Sequence, residues 1–300
     1  MMSLYGGAAS GTVAMSINPK TITVFLDASP SGKKRAAQAA ALADRWDAHL
    51  VGMYVIFKGV TYHPSLSFAR YEKAIAGVVA HERKVEHACE CTTAEVGEHF
   101  ETLCARLGLS FEFRPIERGR EDDKAIVNSL HSDLLIIGHP EPNGLPDDMT
   151  ADRILLASGV PLMIIPNDWH GDTIGDRIMI GWNASPEARR AVSDAMCLLL
   201  AAKSVKAVVV DPDRCKWFGA EAGCDLVQQL RRHGVADVDC EQVASAGRPV
   251  PEVVLERAVK NASDLLVVGS SNPNDLRRIL LGSPTRVFLT KMPVPVLVSR

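Results

Sequence analysis

The chain has 300 residues, enough for two domains of ordinary size, and its hydrophobic content of 47% is sufficient for buried cores. Its formal net charge is −3 and it has no long basic block, so nothing in the composition favours binding to a nucleic acid. No run of about 18 apolar residues occurs, so no membrane-spanning segment is predicted.

Residues 1–19 are rich in Gly, Ala and Ser and lack the basic region and apolar core of a signal peptide. We predict that they form a disordered tail. The seven cysteines are scattered and odd in number. Because no secretory signal accompanies them, we expect reduced thiols and a cytoplasmic protein.

Residues 20–168 alternate short β-branched apolar runs with longer amphipathic stretches, which predicts alternating strands and helices. Ser29 is a suitable N-cap for the first helix, and Pro30 a suitable first residue. The predicted strands are residues 21–26, 50–56, 110–116, 133–138 and 161–166, and the predicted helices are residues 30–46, 68–107, 122–131 and 150–158.

A polar, glycine-containing break follows, and we place a linker at residues 169–175 between a first domain, 20–168, and a second domain, 176–300. The second domain repeats the first, because Ser185 and Pro186 again form a helix start. Its predicted strands are residues 177–181, 204–210, 235–243, 264–269 and 294–298, and its later helices are residues 217–233 and 250–261.

An internal repeat is the strongest pattern in the sequence. Residues 133–138, DLLIIG, match residues 264–269, DLLVVG, and the Val-Pro pairs that begin the last strands also match. Strand and helix alternate in each half, which predicts two tandem Rossmann-like α/β domains, each with a parallel sheet and helices on both faces. Ligands bind such sheets beyond the carboxyl ends of the strands, which places Asn183 near Gly269 and Gly282.

The loop after residue 269 has the spacing of a phosphate cradle. It reads Gly269-x-x-Asn272, then nine residues, then Gly282-Ser283. Glycines let the backbone approach a ligand closely, and a hydroxyl residue at a helix start offers donors to a phosphate.

This loop resembles the nucleotide loop of universal stress proteins, Gly-x2-Gly-x9-Gly-Ser/Thr, with Asn272 in place of the second glycine. Asn tolerates the left-handed conformation better than most residues. Residues 153–161 and 181–185 also resemble the tandem bacterial members of that family. The resemblance implies a five-stranded sheet in each domain and an intramolecular pseudo-dimer in which the last strands of the two domains associate. A further homodimer stays open.

The resemblance also implies that the C-terminal half binds ATP or a related adenine nucleotide, with or without Mg²⁺. The backbone of Val268 would then meet adenine or ribose, and Val209 or Val210 would read the adenine edge. Asn183 stands where the family usually has Asp. The implied site residues are Gly181, Asn183, Val209, Val210, Val268, Gly269, Asn272, Arg278, Gly282, Ser283, Pro284 and Thr285. The alternative is that these glycines only turn the chain and that Arg277 and Arg278 lie on a solvated helix face.

The N-terminal half retains Asp27 and Gly138 of the pattern, but Asp148 and Met149 stand in place of the Gly-Ser pair. Acidic residues there would repel a phosphate. We therefore expect a degenerate site with a packing role in this half.

The long predicted helix carries an apolar stripe and a set of possible metal ligands. The stripe, at steps of three and four residues, ends with Val96, Phe100, Leu103 and Leu107 and predicts a packed face. The ligand candidates are His81, His87, Cys89, Cys91, Glu95, His99 and Cys104. Without a Cys-x-x-Cys pair, a polar helix face is favoured over a metal site. After the second strand of the second half, Asp211-Pro212-Asp213 is better read as a turn than as a Mg²⁺ ligand.

No nucleophile elbow, His-Glu-x-x-His or Walker motif is present, so the chain is not predicted to be an enzyme beyond weak ATP hydrolysis. Three hypotheses follow. The first is a nucleotide-binding regulator or sensor in stress adaptation, acting on an unidentified protein partner. The second is a protein-interaction module whose nucleotide site has decayed. The third is a weak hydrolase. Nucleotide-dependent melting separates the first from the second.

Overall fold

The computed structural model describes residues 18–57, 91–118, 124–138, 151–214, 223–270 and 292–300. In the N-terminal half the strands are β1 (Thr21–Leu26), β2 (His49–Phe57), β3 (Phe111–Arg118), β4 (Leu134–Gly138) and β5 (Leu162–Ile165). The helices are α1 (Pro30–Trp46), α2 (residues 91–107), α3 (Lys124–Ser129) and α4 (Ala151–Ser158).

The C-terminal half follows the same order. Its strands are β6 (Arg177–Gly181), β7 (Ser204–Val210), β8 (Val238–Val243), β9 (Leu265–Gly269) and β10 (Val296–Ser299). Its helices are α5 (Pro186–Asp194), α6 (Met196–Ala201), α7 (Cys224–His233) and α8 (Val250–Lys260). All the predicted strands are present, with ends shifted by a few residues.

One strand boundary was predicted wrongly for a clear reason. Residues 235–237 were expected in the strand that begins at Val238. Instead Gly234 ends α7 in the left-handed conformation, with φ of 99°. The N–H of Val235 then donates to the carbonyl of Leu230, 3.1 Å away, as the chain reverses. The apolar character of Val235 therefore serves the helix cap and not the sheet.

The strands form one ten-stranded sheet in the order β3-β2-β1-β4-β5-β10-β9-β6-β7-β8. Every strand pair among the described residues is parallel except β5 with β10, which is antiparallel. Each half thus contributes five strands, and the last strands of the two halves meet at the centre. The prediction of tandem α/β halves joined through their last strands is confirmed.

Two hydrophobic layers cover the sheet. One layer contains α1, α2, α5, α6 and α7, and the other contains α3, α4 and α8. Alternate residues of β1 enter different layers, with Val24 in the first and Phe25 in the second, and both are fully buried. The strands are therefore apolar on both faces, as parallel strands covered by helices are.

The described part of the long helix confirms most of its predicted stripe. Val96 and Phe100 are buried, and Phe100 packs on the Cα of Gly52 in β2, where a Cβ would lie 2.7 Å from its ring. Leu107 was wrongly included, since it is 42% exposed. It is the last helical residue, directly before Gly108 turns the chain with φ of 68°.

Within the described ranges, no helix combines the length and apolar character needed to span a bilayer.

In each half, an aspartate accepts hydrogen bonds from the backbone at the start of the first strand. Asp133 accepts backbone N–H bonds from Lys20 at 2.7 Å and from Thr21 at 2.9 Å. Asp264 accepts three such bonds, from Gly175, Asp176 and Arg177, each at 3.0 Å. Burial raises the pKa of Asp264, although the three N–H groups oppose the shift. These two residues explain why the repeated strand begins with Asp.

Candidate functional site

The carboxyl ends of three neighbouring strands meet at one edge of the C-terminal half. In the register of the sheet, Gly181 at the end of β6 lies opposite Val268 on one side and Val208 on the other. The predicted site residues Gly181, Val209 and Val268 are therefore brought together by β6, β7 and β9.

Gly269 connects this edge to the start of α5. A Cβ at position 269 would overlap the backbone of Glu187 and Ala188. No larger side chain fits without moving the helix, so the glycine is required for close packing of strand and helix. Gly269 thus lies against residues 187–188 at the start of α5, and the predicted nearness of Asn183 to Gly269 and Gly282 stays a prediction.

The start of α5 is built by local hydrogen bonds. The Oδ1 atom of Asn183 accepts the N–H of Ser185 at 3.1 Å, and the Oγ of Ser185 accepts the N–H of Ala188 at 3.1 Å. Between them, Ala184 has φ of 55°. The predicted cap at Ser185 and Pro186 is confirmed. Asn183 is exposed, and its carbonyl oxygen is used locally.

The end of β7 offers backbone groups rather than a metal ligand. Val209 is fully buried and Val210 half-buried. Asp211 then adopts φ of 49°, and its carboxylate accepts the N–H of Ser245 at 2.7 Å and its hydroxyl at 2.6 Å. The 3₁₀ turn Pro212–Arg214 follows. The turn interpretation of this segment is confirmed, and Ser245 is a partner that the sequence pattern did not single out.

The phosphate-loop predictions for the C-terminal half fall on residues 271–291, which are outside the described residues. They remain predictions for Asn272, Arg277, Arg278, Gly282, Ser283, Pro284 and Thr285. Asp148 and Met149 of the N-terminal half are also outside that part of the chain.

The N-terminal half uses the same strand end differently. Asp27 accepts the N–H of Ser29 at 2.9 Å, just as Asn183 accepts that of Ser185. However, the Asp27 carboxylate also forms an ion pair with Arg35, whose side chain is only 2% exposed. The guanidinium lies against the Cα of Gly138, where a Cβ would overlap it. The two residues retained from the family pattern, Asp27 and Gly138, therefore both contact Arg35.

Arg35 is the residue that sequence reasoning missed. It stands on the buried face of α1 with Gly32, Ala36, Ala39 and Ala40. The sequence did contain a signal for this pair. Arg35 is the one charged residue among the small residues on the buried face of α1, and an aspartate lies eight positions before it. Such a cation needs an anionic partner because burial of an unpaired charge is very costly.

No group of three or more His, Cys, Asp or Glu side chains within the described ranges is arranged to hold a metal ion. Of the candidates on the long helix, Cys91 is exposed and Cys104 is buried, while His81, His87 and Cys89 are outside those ranges. Burial raises the pKa of the Cys104 and Cys197 thiols to about 11, which makes both unreactive near neutral pH.

Comparison with known proteins distinguishes the two halves. Residues 175–300 match the model of the universal stress protein family. Among curated sequences, none is significantly similar to this chain.

A solved structure with the same fold extends over both halves. A universal stress protein from Archaeoglobus fulgidus DSM 4304 covers 93% of this chain and 96% of its own, with a TM-score of 0.61 and 14% identity. A functionally unknown protein from Pseudomonas aeruginosa PAO1 covers 95% of this chain and 94% of its own, with a TM-score of 0.47 and 15% identity. A universal stress protein solved in complex with cAMP covers 40% of this chain and 73% of its own, with a TM-score of 0.23 and 17% identity.

Proposed function

We propose that this protein, whose residues 175–300 form a domain of the universal stress protein family, binds ATP or a related adenine nucleotide in that half and acts as a regulator or sensor in stress adaptation. The main support is one observation: the family match covers the half in which three strand ends and a helix start meet around Gly181 and Gly269. This is the edge where open α/β sheets bind ligands.

The described residues suit a neutral, planar base and its sugar. At the ends of β7 and β9, Val209, Val210 and Val268 give apolar contact and backbone hydrogen-bonding groups, without a charged side chain. We expect Gly282, Ser283, Thr285 and Arg278 to bind the phosphates. Mg²⁺ would bind through the phosphates and not through Asp211, because the Asp211 carboxylate already accepts hydrogen bonds from Ser245.

The strand end of the N-terminal half, which is equivalent to the proposed site, is proposed to bind no nucleotide. The Arg35 guanidinium packs on Gly138 and pairs with Asp27, so the chain's own side chain fills the equivalent strand end. In the C-terminal half, alignment of the helix caps Ser29 and Ser185 puts Ala191 at the position of Arg35. One nucleotide per chain is the expected stoichiometry at these strand ends.

Signalling is proposed to run through the sheet to an unidentified protein partner in the cytoplasm. The candidate site lies at the end of β9, which pairs with β10, and β10 pairs with β5 of the other half. A nucleotide that prefers one arrangement of this junction would shift the population of the surface that the partner recognises. No catalytic base is assigned.

The test is thermal unfolding of the purified chain with Mg·ATP, ADP and AMP. A ligand present at about 100 times its dissociation constant adds about 2.7 kcal/mol to the free energy of unfolding. We expect a clear upward shift in Tm with Mg·ATP for the wild type and none with Mg·ATP for Gly282→Asp. The matched control is Gln228→Glu, which adds the same charge at an exposed position of α7 and should retain the shift.

Two outcomes would overturn parts of the proposal. No shift with any of the three nucleotides at about millimolar concentration would support an interaction module without a nucleotide. Phosphate release from ATP above background, abolished by Ser283→Ala, would support a weak hydrolase instead of a sensor.

A further inference from the structure

A second concave site lies in the N-terminal half, between α1 and the segment that leaves β5. Its volume is about 230 Å³. It is lined chiefly by polar and aromatic side chains, namely Ser31, Lys34, Arg35, Gln38, Trp169 and His170. None of these residues belongs to the proposed nucleotide site. We call this space the linker cleft.

The linker wall of the cleft is fixed by several contacts with α1. The side-chain amide of Gln38 donates to the carbonyl of Gly171 at 3.1 Å. The guanidinium of Arg35 is 3.4 Å from the Oδ1 of Asn167, which it donates to. The Trp169 ring lies over Gly171, where a Cβ would overlap the indole. The wall is therefore a built surface with its aromatic ring held in place.

Basic groups converge on this space. The Nζ of Lys34 lies 3.4 Å from the Nδ1 of His170, so two basic side chains from different segments face each other. Arg35 adds a third basic side chain, and its ion pair with Asp27 neutralises its charge. Asp172 is the one carboxylate among the lining residues, and it is exposed. An anion in the cleft would accept hydrogen bonds from the Lys34 ammonium and from an imidazole N–H of His170.

The start of α1 adds positive potential to the same place. The first turn of α1 has no acidic residue, whereas the first turn of α5 has Glu187. The position equivalent to Glu187 is Ser31, which lines the cleft with its hydroxyl. Lys34 and Arg35 follow directly, near a helix end that disfavours cations. The second half thus supplies its own negative charge at the helix start, and the first half does not.

We propose that the linker cleft binds the phosphate group of a small molecule. Lys34 and His170 donate to the phosphate oxygens, Ser31 adds a hydroxyl donor, and Trp169 forms an apolar wall beside them. The ligand class is inorganic phosphate or a phosphomonoester, which share this recognition. The proposal is independent of nucleotide binding in the C-terminal half.

The experiment is calorimetric titration of the full-length Gly282→Asp protein with inorganic phosphate, AMP and adenosine. This background removes the proposed C-terminal site, so remaining binding belongs elsewhere. We expect phosphate or AMP to bind and adenosine not to bind. A tenfold loss of affinity corresponds to about 1.4 kcal/mol. Lys34→Gln should weaken binding at least about tenfold on that scale, and His170→Gln should weaken it as well.

Lys33→Gln is the matched control, because Lys33 is the exposed neighbour on the same helix and does not line the cleft. It should leave the affinity unchanged. Tryptophan fluorescence should respond to the ligand and lose that response in Trp169→Phe. AMP binding far tighter than phosphate would identify a phosphomonoester, and equal binding would identify free phosphate.

The proposal is overturned if neither phosphate nor AMP binds at about 10 mM, or if Lys33→Gln weakens binding as much as Lys34→Gln. The first outcome excludes the site, and the second reduces it to nonspecific attraction. The nucleotide proposal is judged separately, by a Tm shift with Mg·ATP that is present with Gly282 intact and absent in Gly282→Asp.

Discussion

At the end of its first strand, the N-terminal half has Asp27 followed by Arg35, whereas the C-terminal half has Asn183 followed by Ala191. Asp27 and Asn183 each accept the N–H of the N-cap serine two residues later. Both N-cap serines have extended backbone angles, but Ala184 is left-handed, with φ of 55°, and Ala28 is not. The halves therefore share the cap hydrogen bond and differ in the turn before it and in its charge.

The difference shows how a buried charge is tolerated. Asp27 is 6% exposed and Arg35 is 2% exposed, so each needs the other. A neutral amide at position 183 needs no cation, and a methyl group at position 191 packs in the core. The charged pair and the neutral pair are two self-consistent solutions, and a mixture of them would leave one buried charge without its partner.

The glycines at the ends of β4 and β9 also differ between the halves, in the atoms that they contact. Gly138 makes room for the Arg35 side chain, and Gly269 makes room for the backbone of α5. The repeated DLLIIG and DLLVVG segments thus end in the same residue for different physical reasons. Identity of residues between two repeats does not imply identity of their neighbours.

The largest expected effect comes from Arg35→Ala. It leaves the Asp27 carboxylate buried without its cation, which should lower the free energy of unfolding by about 3–5 kcal/mol. Chemical denaturation monitored by circular dichroism measures this loss. The double variant Asp27→Asn, Arg35→Met imitates the neutral solution of the other half and should recover most of it.

One result for the double variant would contradict this prediction. If the double variant is as unstable as Arg35→Ala alone, the cost lies in lost packing of the Arg35 side chain and not in the orphaned carboxylate. The comparison between charged and neutral strand ends would then be wrong in its energetics.

The second prediction compares the two entrance aspartates. Asp264→Ala removes the acceptor of three backbone N–H groups, and Asp133→Ala removes the acceptor of two. Leaving a buried donor unsatisfied costs about 1–3 kcal/mol, so Asp264→Ala, which removes partners of partly buried donors, should lose stability in that range. The bonds to Asp133 are exposed, so water replaces them and Asp133→Ala should lose less. We expect the larger loss for Asp264, the half-buried member, in parallel urea denaturation experiments.

Asp→Asn variants at the same two positions provide the control, because an amide oxygen still accepts one or more of these bonds. They should lose less than the Ala variants. Equal losses for Asp133→Ala and Asp264→Ala would show that the extra hydrogen bond at Asp264 has no net value.

Much of the fold could be predicted because its signals are local. The apolar runs and the Ser29-Pro30 and Ser185-Pro186 helix starts each depend on residues close in sequence. The repeat then predicted two similar sheets. Residue-level boundaries such as Val235 were missed because a helix cap and a strand compete for the same apolar residue.

The site could be predicted only where backbone position determines it. Gly181, Val268 and Gly269 meet because parallel strands end at one edge, which topology alone dictates. The Asp27–Arg35 pair was missed because it depends on which way a helix face turns after a loop. The cleft at Lys34 and His170 joins residues that lie 136 apart, so no local pattern signals it.

The smallest expected effect concerns an ion pair found at the start of β6. Lys203 Nζ donates to the Asp176 carboxylate at 2.8 Å, and Arg45 of the N-terminal half lies 3.6 Å from it. The hydrogen bond from Lys203 lowers the pKa of Asp176 below its usual range. Its stabilisation is therefore present above the ordinary aspartate pKa and is lost as the pH falls through the lowered value.

Lys203→Ala should reduce the free energy of unfolding by no more than about 1 kcal/mol near neutral pH, because the pair is exposed on the lysine side. The reduction should shrink towards zero as Asp176 is protonated. Denaturation at about pH 7 and at a pH well below the ordinary aspartate pKa of about 3.9 compares the two states. In the Asp176→Asn background Lys203→Ala should cost nothing at either pH, and a loss that persists there would assign the effect to the lysine stem and not to the ion pair.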